Sequence, residues 1–196
     1  MHEVSTKLLA IFQNVNEWLK FAEAKNGVLL AFSGAAITAT ITLLVTAQNI
    51  PHSLNFGLLL TTILLCICAL ICSLSFLPKT NLEDLFWLRD RRNKKSNSQD
   101  PIKDNFWYFG HLQKYKPDEL LEALNEPYFH SNLNIAKLAD RKEYKEYKDI
   151  AAQITINAEI AFLKFEVFTY AIKVLIASIL VIPCSILISL IIYHRL

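Results

Sequence analysis

GVLLAFSGAAITATITLLVTA, residues 27–47, carries no charged side chain. As a helix rising 1.5 Å per residue, it covers the roughly 30 Å hydrocarbon core of a bilayer. It is apolar on every face, whereas a helix on the surface of a soluble protein is apolar along one stripe. Residues 54–77 and 174–193 are uncharged in the same way. The chain therefore reads as an all-α integral membrane protein with three transmembrane helices. Two of them form an N-terminal hairpin and the third is C-terminal. The first block is not expected to be a cleaved signal peptide: it follows 26 polar and amphipathic residues, exceeds an h-region, and a second block comes directly after it.

Working outward, the connector Gln48-Asn49-Ile50-Pro51-His52-Ser53 holds helix-stopping residues and closes the hairpin. It has no Lys or Arg. By contrast, Lys7, Lys20 and Lys25 precede the first block, and Lys79, Arg89, Arg91, Arg92, Lys94 and Lys95 follow the second. The positive-inside bias then places the N-terminus and the central segment in the cytoplasm and the C-terminus outside. Leu8, Leu9, Ile11, Phe12, Val15, Trp18, Leu19 and Ala22 recur at helical spacing and predict an amphipathic helix before the first span. Trp18 and Phe21 suit the headgroup region. Residues 93–100 read as a polar loop, 117–125 as a short helix begun by Pro117, and 134–193 as one long helix continuing into the third span. Four segments result: an N-terminal amphipathic helix (1–26), a transmembrane hairpin (27–77), a small helical cytoplasmic module (78–165) and a C-terminal transmembrane helix (166–196).

The net charge of +2 gives no reason to expect nucleic acid as a partner. His2, His52, His111, His130 and His194 are scattered, and no His-Glu-x-x-His, glycine-rich phosphate loop or Cys-x-x-Cys is present. No catalytic residue and no metal site is expected. Cys66, Cys68, Cys72 and Cys184 lie inside apolar blocks, where small polarizable side chains pack helices and a thiolate would be costly. Lys173 is expected to snorkel to the headgroups. The spans hold no ionisable group besides the cysteines and Tyr193, which argues against a selective ion pathway. Ser33, Gly34, Thr38, Thr40 and Thr42 give the first span a small, mildly polar face suited to close helix packing, within one chain or between chains.

Three segments together resemble a known family. They are Trp18-Leu19-Lys20-Phe21-Ala22-Glu23-Ala24-Lys25-Asn26-Gly27, then Phe106-Trp107-Tyr108-Phe109-Gly110-His111-Leu112, then Asp149-Ile150-Ala151-Ala152-Gln153-Ile154 followed by Asn157, Ile160 and Lys164. In this order, around a hairpin and a terminal helix, they resemble the transmembrane effectors of Pycsar, the bacterial cyclic-pyrimidine anti-phage system. The resemblance implies a cytoplasmic module that senses cyclic UMP or cyclic CMP made by a partner cyclase. It further implies disruption of the bacterial inner membrane of infected cells, with no other cofactor, and a homo-oligomer is expected.

A cyclic nucleotide offers one phosphate and a stackable base, so it needs a cationic donor near an aromatic face. The candidates are Arg89, Arg91 and Arg92 beside Trp87, and Trp107, Tyr108 and His111 in the aromatic run, with Lys114 close by. Each has a plainer reading. A basic cluster inside a membrane holds topology and attracts anionic lipid, and an aromatic run packs. Gly110 is expected to relieve a turn. The competing functions are a constitutive membrane scaffold with a partner-binding cytoplasmic helix, and a small channel subunit.

Overall fold

The computed structural model describes residues 2–47, 51–77, 99–129 and 142–195, and among them every regular element is a helix. These are α1 (His2–Thr46), α2 (His52–Leu74), α3 (Phe109–Leu112), α4 (Pro117–Phe129) and α5 (Lys142–Arg195). Three of them, α1, α2 and α5, contain stretches long and apolar enough to cross a membrane. The amphipathic segment and the first span are one helix of 45 residues. No proline interrupts it, and its glycines, Gly27 and Gly34, lie in the apolar part, where no water competes for the backbone. α5 is continuous over 54 residues with Pro183 inside it, a position that membrane helices tolerate. The predicted helix 117–125 runs on to Phe129, and residues 134–141 of the predicted long helix lie outside the described residues.

The chain divides into two compact units. The first comprises Met1–Ala22 and Pro78–Lys164, the second Glu23–Leu77 and Phe165–Leu196. The core of the first takes Val4, Leu8, Ile11 and Val15 from α1, with Phe106, Leu112, Leu120, Leu121 and Leu124, and α5 contributes Tyr147, Ala151, Ile154 and Ala158. Fully burying such a Leu, Ile or Phe is worth about 1.5–3 kcal/mol. At the start of α4, Pro117 takes the first position and the Lys116 N–H donates to the Glu119 carboxylate at 3.0 Å, half of a capping box. At its end, the Lys7 ammonium donates to the Tyr128 carbonyl at 2.6 Å, where a cation also meets the helix dipole. α4 is tied to α5 through Asp118, which accepts from the Tyr144 hydroxyl at 3.1 Å and pairs with Lys148 at 2.8 Å.

The second unit is a three-helix bundle. Ser33 meets Cys68 and Thr40 meets Thr62, so α1 and α2 run antiparallel. Cys68 meets Ala171 and Thr61 meets Ser178, so α2 and α5 do too. Hence α1 and α5 are parallel, and Glu23, Leu77 and Phe165 share one end of the bundle. Cys68 and Cys72 are fully buried at the helix contacts, while Cys66 and Cys184 face outward. The small face expected on the first span is in fact two faces. Ser33 and Thr40 point into the bundle, and Gly34, Thr38 and Thr42 point out of it. A Cβ placed on Gly34 would meet nothing, whereas one on Gly57 would overlap the Ser185 side chain. The close backbone approach thus falls at Gly57, between α2 and α5. At the end shared by Glu23 and Phe165, the Lys25 ammonium lies over the rings of Phe165 and Phe168, at 5.5 and 5.4 Å. Lys173 lies 5.5 Å from the Tyr170 ring.

Candidate functional site

In the first unit, the run Phe106-Trp107-Tyr108-Phe109 splits by facing. Phe106 and Phe109 are 1% and 5% exposed, while Trp107 and Tyr108 are 44% and 41% exposed. Phe106 packs between Tyr115 and Tyr128, with centroids 5.6 and 6.0 Å away. Local hydrogen bonds turn the chain so that this split occurs. Asn105 Oδ1 accepts from the Trp107 N–H at 2.9 Å, an Asx turn, and the Asn105 N–H donates to His111 Nδ1 at 2.7 Å. Asn14 on α1 donates from Nδ2 to the Trp107 carbonyl at 2.6 Å. Trp107 is therefore held by its backbone from two sides and leaves its ring partly free.

Tyr108 lies over Gly110, and an added Cβ there would come within 2.7 Å of the ring and 2.9 Å of its hydroxyl. This close approach explains the glycine. Gly110 sits in α3 and needs no left-handed backbone, which replaces the turn-relief expectation. Tyr108 also meets His111 edge-on at 5.3 Å. Because His111 Nδ1 accepts the Asn105 N–H, the proton belongs on Nε2, and the 3.6 Å approach of Nδ1 to Asp104 is then no ion pair.

Beneath this surface lies a polar knot. The Asp104 side chain is only 5% exposed and receives Lys114 at 2.8 Å and the Tyr115 hydroxyl at 2.7 Å. Burial alone would raise its carboxyl, but the bonds from Lys114, Tyr115 and the Asp100 N–H hold it below the usual value. Burial and the bond to Asp104 push Tyr115 well above its ordinary value. Lys114, adjacent to the aromatic run in sequence, is thereby engaged by Asp104. Gln99 closes the knot by donating to the Lys114 carbonyl at 2.7 Å and to Glu119 at 3.0 Å.

Trp107, Tyr108 and His111 are thus brought together on one turn. Arg89, Arg91, Arg92 and Trp87 lie outside the described residues. Among the described residues no group of acidic, His and Cys side chains could hold a metal. Three contacts join the segments on which the family resemblance rests, or their immediate neighbours on α1. Trp18 packs on Phe109 at 5.4 Å, Asn14 bonds Trp107, and Asn16 accepts from Asn157 Nδ2 at 2.8 Å. Trp18 thus packs within the first unit, although its sequence position suggested the headgroups. The roles of Asn14 and Asn16 were invisible in sequence, where a polar residue on an amphipathic helix looks solvated.

Compared with known proteins, residues 7–192 match the family model for the Pycsar effector protein domain. The chain belongs to the Pycsar effector family. A Pycsar effector protein from a Rhizobium species, RsPycTM, is 28% identical to it over 165 residues. That similarity covers 78% of this chain and 77% of the relative. No solved structure matches the chain. As a Pycsar effector with three helices able to cross a bilayer, it is a membrane protein of antiviral defence.

Proposed function

We propose that this Pycsar effector senses a cyclic pyrimidine nucleotide, cyclic UMP or cyclic CMP, through its first unit and then breaches the inner membrane of the infected cell. The observation that carries this is the family match from residue 7 to residue 192, over both units rather than the membrane helices alone. The exposed Trp107 and Tyr108 rings and the His111 Nε2 offer a stacking surface and a donor, and Arg91 and Arg92 supply the phosphate contact. The N-terminus and the first unit face the cytoplasm and the C-terminus the periplasm, in keeping with the lysine bias and with the parallel run of α1 and α5. Three helices enclose no wide aqueous path, so the active form is a homo-oligomer.

Calorimetric titration of the purified protein with a panel of cyclic mono- and dinucleotides tests the reading. Binding is expected for cyclic UMP or cyclic CMP and for none of the cyclic dinucleotides. Trp107→Ala should weaken it by about 1–3 kcal/mol, the worth of a stacked base. Arg91→Ala or Arg92→Ala should weaken it by about 1.5–3 kcal/mol, the worth of a charge-assisted bond. Folding is followed by circular dichroism, and with Trp107 at the surface it should be unchanged. No binding to either cyclic pyrimidine would overturn the proposal. Wild-type affinity in all three variants would move the site elsewhere.

A further inference from the structure

The bundle of the second unit packs through small and hydroxyl-bearing side chains, as helices in lipid do. Ser33, Thr40, Thr61, Ser178 and Ser185 are all at least nine-tenths buried there, together with Cys68 and Cys72 and with Leu29, Leu58, Leu65, Ala171 and Leu175. Its outward side carries Val28, Phe32, Ile41, Leu43, Leu70 and Ile179, with Thr38 and Thr42 among them. The hydroxyls hold the helices together only weakly. Each has one proton, and for most the nearer acceptor is a carbonyl of its own helix. Ser33 donates to Leu29 at 2.8 Å, against 3.4 Å to Cys68, and Thr62 to Leu58 at 2.8 Å, against 2.9 Å to Thr40. Ser178 and Ser185 bond Leu175 and Val181 on their own helix, at 2.7 and 2.6 Å. The cross-helix bonds of Thr61 to the Ser178 carbonyl and of Cys68 to the Ala171 carbonyl are long, at 3.4 and 3.3 Å.

Two consequences follow. Separating these helices strands almost no hydrogen-bonding group, because the hydroxyls keep their intrahelical acceptors. The surface so uncovered carries a cluster of hydroxyl lone pairs, set among Leu29, Leu65 and Leu175, that water can satisfy and hydrocarbon cannot. Lipid supplies no hydrophobic force to hold helices together, so the seam is closed by packing and by these few long cross-helix bonds.

Resting on the function proposed above, we infer that the hydroxyl-lined seam between α1, α2 and α5 is the surface that the membrane-breaching state exposes to water. In the resting bundle the seam is dry. In the nucleotide-bound state it opens and hydrates, and the seams of several copies line a path for water and small solutes. The seam residues named carry no fixed charge, so the path does not select ions by charge.

Cys68 is a native reporter, because it touches both α1 and α5 and is fully buried at rest. The full chain with Cys66→Ser, Cys72→Ala and Cys184→Ser, which leaves Cys68 as its one thiol, is placed in liposomes of phosphatidylethanolamine and phosphatidylglycerol loaded with a small dye. Dye release and modification by a charged, membrane-impermeant methanethiosulfonate are read with and without cyclic UMP or cyclic CMP. Cys68 labelling should rise from none to near completion with the nucleotide that causes release. The combination Thr61→Val, Ser178→Ala and Ser185→Ala keeps the packing volume, and it should bind nucleotide as before but lose release, with Thr61→Ser alone keeping it. Release with Cys68 still protected, or undiminished release from the apolar combination, would overturn the seam and leave the sensing function standing. Nucleotide binding without any release overturns both membrane breach and seam. Should the apolar combination fail to fold, the labelling result alone decides.

Discussion

The two units of this protein solve opposite packing problems with the same helices. The first buries large apolar side chains, among them Leu8, Ile11, Phe106, Leu121 and Ile154. The second buries Ser33, Thr61, Cys68 and Ser178 beside Leu29, Leu65 and Leu175, and turns Phe32, Leu43 and Leu70 outward. The solvent accounts for the inversion. In water, burying a large apolar side chain is the main source of stability, whereas in lipid it gains nothing and the helices need small residues that let backbones approach. α1 crosses from one regime to the other within a single unbroken helix, and its buried positions change from Leu8, Ile11 and Val15 to a mixture of Leu29 with Ser33 and Thr40.

The strongest test of this contrast is a matched pair of truncations on α1. Leu8→Ala should destabilise the first unit by about 2–5 kcal/mol, since it removes a fully buried side chain and leaves a cavity. Leu43→Ala, on the outward face of the second unit, should change thermal stability in detergent or nanodiscs hardly at all. Equal losses would mean that Leu43 is packed against protein and does not face lipid.

A smaller effect is expected at the polar knot. Asp104→Asn should cost the first unit about 1–3 kcal/mol near neutral pH, because Lys114 and Tyr115 lose their charged acceptor. The sign with pH follows from the depressed carboxyl. The stabilisation is full above the unfolded-state value of about 3.9 and is lost as pH falls through the lower folded value. Denaturation monitored between neutral and acidic pH should therefore show wild type and variant converging in acid. A constant gap would assign the loss to packing instead of charge. Smallest of all is Thr62→Val in the second unit. It removes a cross-helix hydroxyl contact of the kind worth about 0.6 kcal/mol in membrane proteins. A loss of several kcal/mol would show that hydroxyl bonds, not packing, hold the bundle.

Part of the candidate site can be followed from sequence to structure. Trp107, Tyr108 and His111 stood out as aromatic and donor groups in one short run, and the structure places all three on one turn. What could not be read was which rings of that run face outward. The four aromatic residues are consecutive, and their facing is set by the Asx turn at Asn105 and by Asn14, which lies 93 positions from Trp107. Lys114 looked available in sequence, and only its approach to Asp104 shows it engaged. Within the bundle the close helix crossing occurs at Gly57, which composition did not single out, while Gly34 faces outward, because a glycine's use depends on what lies opposite it.

By itself, the sequence determined the three membrane helices, the all-α class and the family. Each of these is a sum over local residues: hydropathy along a run, helical spacing, or motifs in order. Only the tertiary structure decided that α1 serves both units, that Ser33 and Thr40 face inward while Gly34, Thr38 and Thr42 face outward, and that Trp18 packs against Phe109. Those outcomes depend on partners brought together from distant parts of the chain, and no local property of a residue records which neighbour will cover it.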